Sequence, residues 1–141
     1  MRKINKIILH CTATPEGRYT TVEDIRGWHK QKGFNDMGYH YIVYLDGTIH
    51  DGRNVEIVGA HTKGYNTGSI GIAYVGGINS KDFKPKDTRT EEQKKELHKF
   101  LVKLMSQYEG ATLHGHNEFA ARACPSFNVK KEYNDIIKTY E

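Results

Sequence analysis

The placing of helix starts and strand stops constrains this chain more than any other feature. Thr20 is followed three residues on by Glu23, and Thr90 by Gln93, and each pair opens a stretch with apolar residues at helical spacing. A Thr side chain at a helix entrance takes the N–H of the third helical residue, and the acid or amide there returns the contact, so each pair predicts a helix start. The first stretch carries Val22, Ile25 and Trp28 with His29, and Gly33 closes it; the second carries Leu97, Leu101, Leu104 and Tyr108, and Gly110 closes it. Around them lie short runs rich in β-branched residues. Residues 4–11 and 69–75 read as buried strands, the second stopped by Gly76-Gly77, and residues 111–114 as a shorter one. Residues 39–45 alternate aromatic and aliphatic side chains, and Asp46-Gly47 turns them into Thr48-Ile49-His50, a hairpin with odd positions from Tyr39 on one face and even positions from His40 on the other. Asn128 opens a last helix with Val129, Tyr133, Ile136, Ile137 and Tyr140. Residues 59–68, 78–89 and 115–127 read as loops, the middle one exposed. Strands interleaved with helices predict an α/β fold: one domain over residues 1–141, a central mixed sheet flanked by helices.

Composition excludes several classes. A length of 141 residues suits one domain. A mean hydropathy of -0.71 with 27% charged residues excludes a membrane protein, and 11% aromatic residues argue against disorder. Two cysteines cannot staple a small secreted scaffold. The net charge of +4 favours anionic partners mildly, and its basic clusters are broken by acids or apolar residues, so no nucleic-acid arm is expected. After Met1-Arg2-Lys3 the apolar run Ile7-Ile8-Leu9 is too short for a signal-peptide core, which predicts synthesis in the cytoplasm without standard secretion. Nothing signals an oligomer, so a monomer is expected.

Eight histidines stand beside the two cysteines. Zinc is bound by neutral imidazole and thiolate, and a catalytic site keeps three protein ligands with one position open. His10 closes the first strand, His116 follows the last, and Cys124 lies eight residues later in a loop of small residues and Pro125. Spacing alone leaves open a metal site, a nucleophilic Cys124 assisted by histidine, or inert buried side chains. Cys11 reads as an inert thiol, since next to His10 on a strand it points to the opposite face.

Five blocks in order carry a resemblance. They are Ile8-Leu9-His10-Cys11-Thr12-Ala13-Thr14; Gly38-Tyr39-His40-Tyr41 with Asp46-Gly47; His61-Thr62-Lys63-Gly64-Tyr65-Asn66; Ser69-Ile70-Gly71-Ile72; and Gly115-His116-Asn117-Glu118 with Ala123-Cys124-Pro125-Ser126-Phe127. The chain resembles the zinc-dependent N-acetylmuramoyl-L-alanine amidases of type 2, which include amidase-type phage lysozymes and animal peptidoglycan-recognition proteins. The resemblance implies one Zn2+ per chain held by His10, His116 and Cys124. It also implies hydrolysis of the amide between N-acetylmuramic acid and L-alanine in bacterial peptidoglycan, as a phage or prophage endolysin acting on the cell wall. Tyr39 falls on the position that assists catalysis. The second assisting position, two before the cysteine, holds Lys in the phage lysozymes and Arg122 here; Arg keeps its proton, so it stabilises negative charge without proton transfer. His61 is read as lining the site against glycan or peptide, with a structural role as the alternative. Trp28, Tyr41, Tyr44 and Phe127 are read as core rather than sugar-stacking residues, and His114 is passed over in favour of His116. Family members without the cysteine bind peptidoglycan without cleaving it, and some phage amidases also bind and inhibit phage RNA polymerase; these are the alternatives the resemblance leaves.

Overall fold

The computed structural model describes residues 2–141. Strand β1 (Lys6–Cys11) leads through the two-residue β2 (Thr14–Pro15) to helix α1 (Val22–Gln31), and β3 (Tyr41–Val43) turns back into β4 (Ile49–Asp51). Then come β5 (Ser69–Tyr74), β6 (Gly77–Ile78), helix α2 (Glu91–Gln107), β7 (Thr112–Gly115), a 3-10 turn (His116–Glu118), and helices α3 (Val129–Glu132) and α4 (Asn134–Tyr140). The main sheet has the order β4-β3-β5-β1-β7, antiparallel only at the β3–β4 hairpin. It is the predicted mixed sheet.

The central strands β1 and β5 are buried on both faces, which is why they read as continuous apolar runs rather than as alternation. One face carries Ile7, Leu9, Ile70, Ile72 and Leu113 against Leu97, Leu101, Leu104 and Met105 of α2 and against Val129 and Ile136 from the C-terminal helices. The other face buries Ile42 and Ala73 beneath Ile25 of α1 and Met37. Helices on both faces leave the carboxyl ends of the parallel strands as the natural place for a crevice.

Several expectations shift. The first helix is capped by Thr21, whose hydroxyl accepts from the Asp24 N–H at 3.1 Å while the Asp24 carboxylate accepts from the Thr21 N–H at 3.0 Å. Thr20 also has an acid three residues on, but its hydroxyl donates to the Arg18 carbonyl and the residue is buried. The hairpin strand begins at Tyr41 rather than Tyr39, so Tyr39 escapes the alternation and packs on the Ile42 side. The end of the 78–89 segment is buried: Arg89 lies over the Phe127 ring at 3.8 Å, pairs with Asp87 at 2.8 Å and donates to the Tyr133 hydroxyl at 2.7 Å. The last helix breaks at Tyr133 into two. No helix among the described residues is long and apolar enough to cross a membrane.

Candidate metal centre

Strand register assembles the site. In the parallel β1–β7 pair Leu9 lies opposite Gly115, so the next residues, His10 and His116, come side by side at the carboxyl ends, with ring centroids 4.6 Å apart. The third member arrives from a loop. Residues 124–126 are pinned by the Tyr74 hydroxyl, which donates to the Pro125 carbonyl at 2.7 Å, and by the Ser126 hydroxyl, which donates to the Gly77 carbonyl at 2.9 Å. These anchors hold Cys124 Sγ 3.2 Å from the main-chain N–H of Cys11. One ligand atom each from His10, His116 and Cys124 lies within 4.8 Å of the others. Ligand atoms on a zinc tetrahedron with bonds of about 2.0–2.3 Å sit roughly 3.3–3.8 Å apart, so an inward movement of about 1 Å closes the set. Two imidazoles and one thiol also match the borderline-soft donors that zinc takes.

The electrostatics of the two imidazoles agree with ligation. Burial, together with His61 and His116, pushes the His10 pKa well below the usual imidazole value, and burial and then Arg122 lower that of His116, so both rings are the neutral form a metal needs. Cys124 is held above the ordinary thiol range, first by its hydrogen bond with the Cys11 thiol and then by burial, whereas Cys11 is lowered to about 7 by the same contact. A cation at the cluster acts directly on Cys124, where the Cys11 N–H and Arg122 already favour negative charge.

Tyr39 and Arg122 line the same cleft. Gly38 sets Tyr39: a Cβ at Gly38 would lie 2.0 Å from the Ala60 carbonyl oxygen, and the Gly38 N–H donates to His29 Nδ1 at 2.8 Å. The Tyr39 ring centroid sits 5.1 Å from that of His10, and among the described residues no hydrogen bond engages its hydroxyl. Burial first, then the two cysteines, raise its pKa above the phenol range, so it is a donor and not a base. Arg122 is exposed and, among the described residues, its guanidinium has no hydrogen bond or carboxylate partner. Both residues line a cleft of about 680 Å³ with Lys32, Lys63, His61 and His116, and a smaller lobe of about 200 Å³ that reaches Cys124 and Trp28. Among the described residues no carboxylate lines the larger part.

His61 is buried, its ring lying between His10 and β5. Its Nδ1 is 2.9 Å from His10 Nε2 and its Nε2 is 3.2 Å from Ser69 Oγ, so both nitrogens are engaged within the protein. His114 bonds Glu118 and Thr112 instead of joining the cluster. His40 accepts the Gly71 N–H on Nδ1 and bonds the Ile57 carbonyl through Nε2. Of the four aromatics read as core, Trp28 is the exception, 37% exposed at the cleft wall. Sequence reasoning missed the Cys11 N–H on Cys124 and the contacts of Thr62, Ser69 and Gly71 with His61. A glycine inside a strand run was the available signal, since it marks a close approach of another group.

The sequence matches the N-acetylmuramoyl-L-alanine amidase family over residues 1–127. It is 45% identical over 133 residues to the endolysin of Escherichia phage T7, covering 93% of this chain and 87% of that one. Among solved structures it resembles the N-acetylmuramoyl-L-alanine amidase LysC from Clostridium intestinale, with a TM-score of 0.78 and 30% identity over 94% of this chain and 87% of the other. It also resembles peptidoglycan recognition protein-LE in complex with a monomeric diaminopimelic acid-type peptidoglycan, with a TM-score of 0.73 and 25% identity over 89% and 75% of the two chains. The fold, the converging ligand atoms and a match spanning most of the chain lead to one conclusion: this protein belongs to the N-acetylmuramoyl-L-alanine amidase family.

Proposed function

We propose that the chain is one catalytic domain that cleaves the amide joining N-acetylmuramic acid to L-alanine in bacterial peptidoglycan, as an endolysin, with Zn2+ held by His10, His116 and Cys124. The observation that carries this reading is the convergence of those three ligand atoms within 4.8 Å, with His116 and Cys124 lining the same cleft as Tyr39 and Arg122. When bound, zinc supplies a Lewis acid and a nucleophile usable at neutral pH, the two things an unactivated amide lacks. The protein's own groups supply the rest. Tyr39, a neutral phenol with a free hydroxyl, donates a hydrogen bond to the oxygen that becomes negative as the carbonyl is attacked. Arg122, a fixed cation without a side-chain partner among the described residues, stabilises the same charge, an effect worth roughly 3 kcal/mol for one well-placed donor. Lys32 and Lys63, with no acid opposing them along the larger lobe, suit a carboxylate-bearing stem peptide. Cys124 speaks for catalysis rather than binding alone, because it completes the donor set.

Digestion of purified peptidoglycan with and without a chelator, followed by mass spectrometry of the new ends, tests the proposal. Chelator-sensitive release of peptides with a free N-terminal L-alanine is expected. New reducing sugar ends, or cleavage indifferent to the chelator, would overturn it.

A further inference from the structure

We propose that His61 is a positioning residue that decides which nitrogen of His10 is free to bind metal. The inference rests on the zinc reading and deepens it.

Assignment of the protons starts at a group that can only accept. The Asn66 carbonyl lies 3.2 Å from Ser69 Oγ, and the single hydroxyl proton of Ser69 goes there. Ser69 Oγ then accepts from His61 Nε2, also 3.2 Å away. A neutral imidazole protonated on Nε2 has a bare Nδ1, and that atom lies 2.9 Å from His10 Nε2. His10 therefore places its proton on Nε2, which leaves its Nδ1 as the nitrogen with a ligand lone pair. The reverse chain turns Ser69 toward His61, leaves the Asn66 carbonyl with only the longer contact from the Ser69 N–H at 3.3 Å, and puts the His10 proton on Nδ1, where it blocks that lone pair.

The frame around the relay is rigid. Ser69 and Gly71 belong to the central strand, and a Cβ at Gly71 would lie 2.5 Å from His61 Cγ, so the ring rests flat on the backbone. The Asn66 side-chain oxygen accepts the main-chain N–H groups of both His61 and Thr62, at 2.9 and 2.8 Å, fixing the turn that carries them. Thr62 Oγ1, 2.9 Å from His61 Nδ1 and 3.3 Å from His10 Nε2, flanks the shared proton. Metal-ligating histidines commonly hand their second N–H to a carboxylate or a main-chain carbonyl. Here the acceptor is a neutral imidazole, itself tied to a carbonyl through Ser69. It orients His10 without adding negative charge, so the positive charge of the metal is not diluted.

The test reads protons and metal rather than turnover. Nitrogen NMR of isotope-labelled, metal-free protein reports the tautomer of each ring, and both His10 and His61 should carry the proton on Nε2. Zinc affinity is measured by competition with a chromogenic chelator. His61→Ala should weaken zinc binding by about 10–100-fold, and His61→Asn, whose Oδ1 takes the place of Nδ1, should recover most of it. A His10 proton on Nδ1 in the wild type, equal loss in both variants, or zinc affinity of His61→Ala within about twofold of wild type would overturn the proposal. Wild-type protein that takes up no zinc while His10 keeps its Nε2 proton would remove the metal reading itself, and with it the use of this contact.

Discussion

Gly71→Ala puts the packing around His61 to a quantitative test. Alanine in place of a strand glycine ordinarily gains about 0.5–1 kcal/mol, because the unfolded chain has less freedom to lose. Here the added Cβ would meet His61 Cγ at 2.5 Å, Cδ2 at 2.6 Å and Nδ1 at 2.7 Å, where ordinary contact begins at 3.4 Å, so something must give by about 0.9 Å. Strand β5 is buried throughout and paired on both sides, so the ring moves. Overpacking of this kind costs about 1–3 kcal/mol, and disrupting the buried contacts of His61 with His10 and Ser69 costs about another 1–3. The clash wins, with a net loss of about 1–5 kcal/mol. Urea unfolding of metal-free protein measures it for wild type, Gly71→Ala, His61→Ala and the double variant. Since the clash is with one ring, Gly71→Ala should cost little once His61 is Ala, giving a coupling of at least about 1 kcal/mol. A Gly71→Ala protein as stable as wild type, or one with the same cost in both backgrounds, would refute the reasoning.

Four further outcomes are expected. Cys124→Ala should lose zinc, measured by atomic absorption, and bring wall hydrolysis to background while the far-ultraviolet circular dichroism stays unchanged; an active, metal-free variant would remove the metal assignment. Tyr39→Phe should lower turnover with zinc content intact, since the hydroxyl serves the reacting oxygen and not the metal, and loss of zinc would make Tyr39 structural instead. Arg122→Lys should keep substantial amidase activity whereas Arg122→Ala should lose roughly a hundredfold, the size of one missing charge-stabilising donor; equal loss in both would rule out a role through charge. His40 is buried and neutral in the fold, its pKa lowered by burial from 6.5 to about 4. The unfolded chain therefore takes the proton first, so stability is level above about pH 6.5 and falls as the pH drops toward 4, by up to about 3 kcal/mol from this group. His40→Gln should flatten that stretch of the pH–stability curve measured by urea unfolding, and an unchanged slope would show that another group carries it.

Local chemistry made much of the architecture legible in the sequence. The Thr90 capping box, the Asp46-Gly47 turn and the apolar runs of β1 and β5 act over a few neighbouring residues, and they stand in the structure much as read. The errors fell where two local solutions were equally good, as with Thr20 and Thr21, or where a distant partner decided, as with Arg89 beneath Tyr133 and Phe127. His10, His116 and Cys124 were legible as a set through the order of five blocks, not through spacing, because no local rule links residues in different elements.

The sequence by itself determined the element order, the α/β class and the donor atoms available, since propensity, capping and residue type are properties of short segments. Only the tertiary structure decided which of those donors meet. The register of β1 against β7 brings His10 beside His116, and the packing of residues 124–126 on β5 and β6 brings Cys124 Sγ to a main-chain N–H 113 residues away. The same folding lays His61 on the bare backbone of Gly71, 2.9 Å from His10 Nε2. Hydrogen bonds of that kind depend on distances of a few tenths of an ångström between remote segments, a quantity that exists only once the sheet has closed and its helices have packed.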